Sequence, residues 1–247
     1  MPMFPPPARN FSQLRPVGVD LGISCSASGS SYITVGDTKV KCCVNTPRSC
    51  GKRLLQEVGI LSIDVRFSRK DLARSCNFDL RHVLTELFER HLLLSRYPRQ
   101  LIEAWLTVEE DAGGLFAACV TGLCLAFADC GIQMLDVVAA TSAFAFRVSG
   151  GAMTLALDLS ADEEAYYSEV DPGMTRLHLA YCPNLGVTTY VLQTGCHTDP
   201  AVTQQLLSMA HAACDLVFAE IKTSMHGHLE WLSEQRGDTL TCPEVEM

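Results

Sequence analysis

The chain has 247 residues, of which 48% are hydrophobic and 19% charged, which is enough for a full core and too apolar for a disordered polymer. Its formal net charge of −9 argues against a simple nucleic-acid binder. Its 12 cysteines include no CxxC pair and no Cys/His pattern at zinc-ligand spacing, which points away from a metal or disulfide scaffold and towards free thiols in a reducing compartment.

In chain order, Met1 to Asn10 is Pro-rich without an apolar stretch, so it reads as a loose tail rather than a secretory signal. Asp20 to Ala27 alternates weakly and meets a turn signal at Ser28-Gly29-Ser30-Ser31. Tyr32 to Val35 and Thr38 to Asn45 alternate around Gly36-Asp37 and predict a hairpin. Glu57 to Phe67 predicts a strand buried on both faces. Asn77 to Ser95 places Phe78, Leu80, Val83, Leu84, Leu87, Phe88 and His91 at helical spacing, with Asn77 as the cap and Pro98 as the stop.

Leu101 to Val108 returns to a strand. The uncharged run Ala112 to Ala128 opens with Gly113-Gly114 and ends at Asp129; it is short for a membrane span and predicts a core helix from Leu115, with Cys119, Cys124 and Cys130 in or beside it as buried thiols. Val137 to Arg147 and Thr154 to Leu159 follow as strands, then a hairpin of Leu177 to Tyr181 with Val187 to Gln193. Thr198-Asp199-Pro200 opens a last helix that reaches Lys222 or beyond, with Val202, Leu206, Met209, Ala213, Val217 and Ile221 on one stripe. The order predicts one α+β domain with mixed sheets and packed helices, in a soluble intracellular protein.

Charge is uneven along the chain. Residues 39–99 hold 13 of the 19 Lys and Arg and 6 of the 28 Asp and Glu, a local net of +7 that leaves −16 elsewhere. That suits one RNA-facing edge in an otherwise acidic protein, and equally a set of solvated faces.

Several phrases then line up with one family. Gly29-Ser30-Ser31-Tyr32, Val35-Gly36-Asp37-Thr38-Lys39-Val40 and Thr46-Pro47-Arg48 resemble the opening hairpin of RNase PH-like proteins. Tyr97-Pro98-Arg99, Asp111-Ala112-Gly113-Gly114, Ala128-Asp129-Cys130-Gly131-Ile132-Gln133-Met134 and Leu157-Asp158-Leu159 resemble later phrases of the same family, in order and at compatible spacings. The resemblance implies an RNase PH fold, ribosomal protein S5 domain 2-like, over residues 15–236, with 1–14 a flexible Pro-rich N-terminal tail and 237–247 a C-terminal tail. It also implies a six-membered ring of RNase PH-like exosome subunits around a pore for single-stranded RNA, S1/KH-type cap proteins as further partners, and no membrane. The short Ser49-to-Gln56 connection and the truncated N-terminal region look most like the eukaryotic messenger-RNA-transport-type ring subunit. A location in nucleus, nucleolus and cytoplasm, and a part in rRNA processing, follow from the family alone.

Phosphorolysis brings two anions together, so its site needs fixed positive charge and oriented donors. The resemblance places a Ser/Thr hydroxyl and an Arg directly after the last Gly of the loop. Here those positions read Gly114 and Leu115, so phosphate affinity is expected to fall by several kcal/mol where the family's Arg is a buried charge-assisted contact. The family's acidic pair reads Asp158 and Glu164; the second is a longer carboxylate, and the simpler reading of Asp162-Glu163-Glu164 is a solvated acidic turn. Ser75 and Cys76 stand where the family carries an Arg pair, leaving Arg66, Arg69, Lys70 and Arg74 as candidate RNA contacts.

His226-x-His228 lacks a third ligand and reads as a surface helix end. Gly113-Gly114 is no P-loop, and no GxSxG elbow occurs. The expected product is a non-catalytic subunit with a degenerate site at Gly113, Gly114, Leu115, Asp158 and Glu164, needing no cofactor or metal. The alternatives are a phosphorolytic 3′-to-5′ exoribonuclease completed by a neighbouring chain, and a fold relative that has left RNA metabolism.

Overall fold

The computed structural model describes residues 10–49, 58–69, 79–148, 153–196 and 199–236. Nine strands and four α-helices occur among them: β1 (Val17–Leu21), β2 (Gly29–Val35), β3 (Thr38–Ser49), β4 (Ile60–Phe67), α1 (Leu80–His91), β5 (Gln100–Glu110), α2 (Leu115–Asp129), β6 (Ala139–Arg147), β7 (Met153–Leu157), α3 (Ala161–Val170), β8 (Thr175–Cys182), β9 (Val187–Thr194) and α4 (Pro200–Arg236). They build a five-stranded sheet in the order β1-β2-β3-β5-β4 and a four-stranded sheet in the order β7-β6-β8-β9. The first is mixed, because β4 runs parallel to β5 while its other pairs are antiparallel; the second is antiparallel throughout.

Period-2 patterning explains the layers. On the inner face of the first sheet, Ile33, Val40, Cys42, Val44, Ile102, Leu106 and Ile63 are buried against α1 and α2. On β6, Ala140 faces that core, whereas Ala139, Ala143 and Ala145 face a second one built with α4. Helix α2 therefore meets β2 and β3 as well as β6 and β8, and every residue from Leu115 to Phe127 is buried, as its all-round apolar sequence requires. Along α4, Leu206, Ala210, Ala213, Cys214, Val217 and Ile221 make the apolar stripe.

Several expectations need correction. Ser28 to Ser31 is not a turn: Gly29 to Ser31 begin β2, and Gly29 is needed because a Cβ there would sit 2.5 Å from the Ala126 carbonyl and 2.3 Å from the Cys130 nitrogen. Strand β4 is not buried on both faces. It is an edge strand with Leu61 and Ile63 inward and Arg66 exposed. The cap of α1 is Asp79, whose carboxylate accepts from the His82 N–H; Asn77 lies outside the described residues. Residues 10–14 are not a loose tail either. Phe11 meets Phe146 and Tyr167 edge to face at centroid distances of 5.8 Å, and Leu14 packs on the α4 core. Residues 1–9 lie outside the description.

The acidic turn is instead the first turn of α3. Ser160 caps it, accepting from the Glu163 N–H, while the Glu163 carboxylate returns to the Ser160 N–H, a reciprocal pairing that satisfies two otherwise orphaned donors. No helix among the described residues is long and apolar enough to cross a membrane.

Candidate functional site

A cavity of about 350 Å³ opens at the N-terminus of α2. Gly113, Gly114, Leu115 and Phe116 form one wall; Ser142 and Phe144 of β6, Arg176 and His178 of β8, and Leu192 and Thr194 of β9 form others, with Leu80, Asp111 and Glu164 at its margins. The α2 dipole turns its positive end to this space. Four of the five expected site residues thus come together. The fifth, Asp158, lies behind the loop and does not line the cavity.

Local chemistry explains that separation. Asp158 directly follows β7 at a φ of 49°, with a side chain only 5% exposed. Arg15 grips it with two donors, Nε to Oδ2 at 2.9 Å and Nη2 to Oδ1 at 2.6 Å. The same guanidinium donates to the carbonyls of Ala112 and Gly113, each at 2.9 Å. Thr38 adds a hydroxyl donated to the Gly113 carbonyl at 2.6 Å and accepts from the Ala112 N–H at 3.0 Å. The loop before α2 is therefore clamped from behind by a buried, bidentate ion pair and a threonine.

Gly114 sits in that clamp at a φ of 68°, and a Cβ there would meet Arg15 Nη2 at 2.6 Å and Asp158 Oδ1 at 2.8 Å. A Ser or Thr at this position would be strained in the left-handed region and would collide with the ion pair. Leu115 follows, 7% exposed, in the main core.

Inside the cavity Arg176 and Glu164 pair with each other, and the Asp111 carboxylate accepts from the Gly113 N–H at 3.1 Å. Arg176 donates Nε to Glu164 Oε1 at 2.5 Å and Nη2 to the Ser168 hydroxyl at 2.6 Å. Glu164 is thus neither a solvated turn residue nor an unpaired acid. Ser142 Oγ and His178 Nδ1 are 2.8 Å apart, and the His178 ring lies 5.3 Å from Phe116. Burial first, and then the Arg176 charge, lower the His178 pKa to about 4, so the ring is neutral at neutral pH.

Sequence reasoning missed Arg15, Arg176, His178 and Ser142. The signal for the β8 pair was their i, i+2 spacing, which puts both on one face of the strand; for Arg15 it was a lone cation between Leu14 and Pro16-Val17. Among the RNA candidates, Arg66 pairs with Asp64 at 2.9 Å with its side chain 67% exposed, and neither it nor Arg69 lines the cavity; Lys70 and Arg74 lie outside the described residues. The His228 ring is not a free helix end. It contacts Asp129 at 3.2 Å and stacks on Trp231. Among the described residues no group of three or more His, Cys, Asp or Glu could hold a metal ion.

The model of the 3′ exoribonuclease family, domain 1 (RNase PH), matches residues 13–133. The exosome complex component RRP41 of Mus musculus is 31% identical over 244 residues, covering 93% of this chain and 94% of the relative. Rrp41 of Cenarchaeum symbiosum is 27% identical over 226 residues, covering 88% of each. Among solved structures, rice (Oryza sativa) Rrp46 superposes with a TM-score of 0.73 at 19% identity, covering 88% of this chain and 98% of that one. A chain of the Archaeoglobus fulgidus exosome with RNA bound to the active site superposes with a TM-score of 0.66 at 15% identity, covering 86% and 91%. With a relative 31% identical over 93% of its length and the family model matching residues 13–133, the chain belongs to the RNase PH family of exosome complex components.

Proposed function

We propose that the chain is a catalytically inactive RNase PH-like ring subunit of an RNA exosome, completing the barrel beside other RNase PH-like chains, meeting S1/KH-type cap proteins and guiding single-stranded RNA for 3′-to-5′ processing and degradation. The observation that carries this reading is the conformation of Gly114. The hydroxyl and guanidinium that phosphorolysis needs are absent at Gly114 and Leu115, and the space a Cβ would take at Gly114 is filled by the Arg15–Asp158 pair. Asp158 serves that pair and the loop behind the cavity, so its carboxylate is not available to protonate a leaving group. Glu164 and Arg176 neutralise each other, which leaves the cavity wall mainly apolar.

Relatives named Rrp41 and the RNA-bound archaeal structure support the exosome setting. The finer placement as a messenger-RNA-transport-type subunit rests on the residues that suggested it, and a location in nucleus and cytoplasm on the family alone. A second reading, an active exoribonuclease completed by a neighbour, is favoured by Arg176, a cation already in the cavity wall.

The two readings differ in phosphate affinity. Titration calorimetry of inorganic phosphate into the reconstituted ring, comparing wild type with Arg176→Ala, should show no change in phosphate binding attributable to this chain. Phosphate binding that Arg176→Ala abolishes would favour the second reading.

A further inference from the structure

The cavity at the start of α2 has a volume of about 350 Å³, within the range of small-molecule pockets, roughly 300–1,000 Å³. Its borders are firm elements. Strands β6, β8 and β9 are neighbours in one sheet, and α2 is buried from Leu115 to Phe127. Side chains on such walls have few ways to close the space, so they forfeit dispersion contacts that an occupant would supply.

The walls are largely aromatic and aliphatic. Phe116 and Phe144, 2% and 1% exposed, line the cavity with Leu80, Leu115 and Leu192. Phe116 is braced by His178, at a centroid distance of 5.3 Å, and by Tyr190, at 5.9 Å. A flat ring gains most from this lining, because aromatic faces and edges pack in stacked and edge-to-face arrangements. Ser142 Oγ and His178 Nδ1 bind each other at 2.8 Å, and both residues border the cavity. Burial keeps the His178 ring uncharged. A hydroxyl and a neutral imidazole each donate and accept, so the pair can meet one polar group on an occupant.

The charges of the lining disfavour an anion. Besides His178, the ionisable side chains there are Asp111, Glu164 and Arg176, two acids against one base. The Arg176 guanidinium is engaged by Glu164 at 2.5 Å and by the Ser168 hydroxyl at 2.6 Å. A phosphate entering this space would lose its hydration and find the one cation already taken, with a second carboxylate nearby.

We propose that the cavity binds a small, neutral, planar aromatic molecule of roughly two fused rings with a single polar substituent, in preference to a phosphate or a nucleotide. The inference rests on the reading of the site as one without phosphate chemistry, and names what such a site holds instead.

The test is titration calorimetry of 2-naphthol, 2-naphthyl phosphate and adenosine monophosphate into the full chain at neutral pH. 2-Naphthol should bind at a single site with a Kd on the order of 0.1 mM, and both phosphate esters at least tenfold more weakly. Thr194→Trp, at an exposed position in the cavity wall, fills the space and should weaken 2-naphthol at least tenfold. Glu164→Gln releases Arg176 and should narrow the preference for 2-naphthol over 2-naphthyl phosphate at least tenfold. Leu216→Ser, on the exposed face of α4, should bind as wild type. The preference ratio needs no filled cavity, so it decides the matter where Thr194→Trp lowers the melting temperature. Absence of 2-naphthol binding, binding that a folded Thr194→Trp leaves unchanged, or an unaltered preference in Glu164→Gln overturns this proposal alone. Tighter binding of either phosphate ester than of 2-naphthol by the wild type overturns it together with the phosphate-free reading on which it rests.

Discussion

Arg15→Ala removes the clamp behind the loop. It strands the Asp158 carboxylate, 5% exposed, without its bidentate partner, and it takes away the donors to the Ala112 and Gly113 carbonyls. Breaking one side of a buried ion pair costs roughly 3–5 kcal/mol, because the remaining charge loses its counter-ion. For a domain of this size each kcal/mol moves the melting temperature by about 2–4 °C, so a fall of roughly 6–20 °C is expected. Arg15→Met with Asp158→Asn removes both charges together and keeps a residue that tolerates the positive φ at position 158. The double variant should be more stable than Arg15→Ala, since neutral replacement of both partners is far less costly than orphaning one. The assay is thermal unfolding by circular dichroism of wild type, Arg15→Met, Asp158→Asn and their double variant, with Arg15→Ala measured beside them. A fall below about 2 °C for Arg15→Ala, or strictly additive effects, would mean that the pair does not hold this loop and that Asp158 is free for another role.

Restoring the family's residues should not restore activity. Gly114→Ser with Leu115→Arg is expected to lower stability by about 1–3 kcal/mol from backbone strain alone and to release no nucleoside diphosphate; measurable phosphorolysis would show that the clamp yields. Acid should destabilise the fold through His178. Its folded pKa of about 4 lies below the ordinary value, so the unfolded chain binds the proton first and stability falls as pH drops from about 6.5 towards 4, by up to about 3 kcal/mol. Urea unfolding should show this slope, and His178→Gln should flatten it; an unchanged slope would remove His178 as the cause. Arg66→Ala with Arg69→Ala should reduce crosslinking of single-stranded RNA to the ring and weaken its salt dependence. Equal crosslinking by the double variant would leave the basic segment as a solvated face.

Strand and helix order was largely legible because burial here follows the two backbone periods. The Gly36-Asp37 hairpin, the all-apolar α2 and the stripe of α4 each announce themselves. Helix α3 was hidden for a physical reason: Ala161 to Val170 is polar on most sides and its stability lies in its cap and in the Glu164–Arg176 pair. Gly29 mimics a turn residue, while its need is close approach to α2. The site was half legible. Gly114 and Leu115 state what is missing, whereas Arg15 contacts Asp158 across 143 residues of chain, a partnership that no local pattern encodes.

The most direct measurement is RNA decay by the purified chain with its RNase PH-like partner, with and without inorganic phosphate, scored as nucleoside diphosphate release. The account predicts no phosphate-dependent release attributable to this chain, in the wild type or in Asp158→Asn. Clear release that Asp158→Asn abolishes would contradict it, and would mean that the partner supplies the phosphate grip that Gly114 and Leu115 lack.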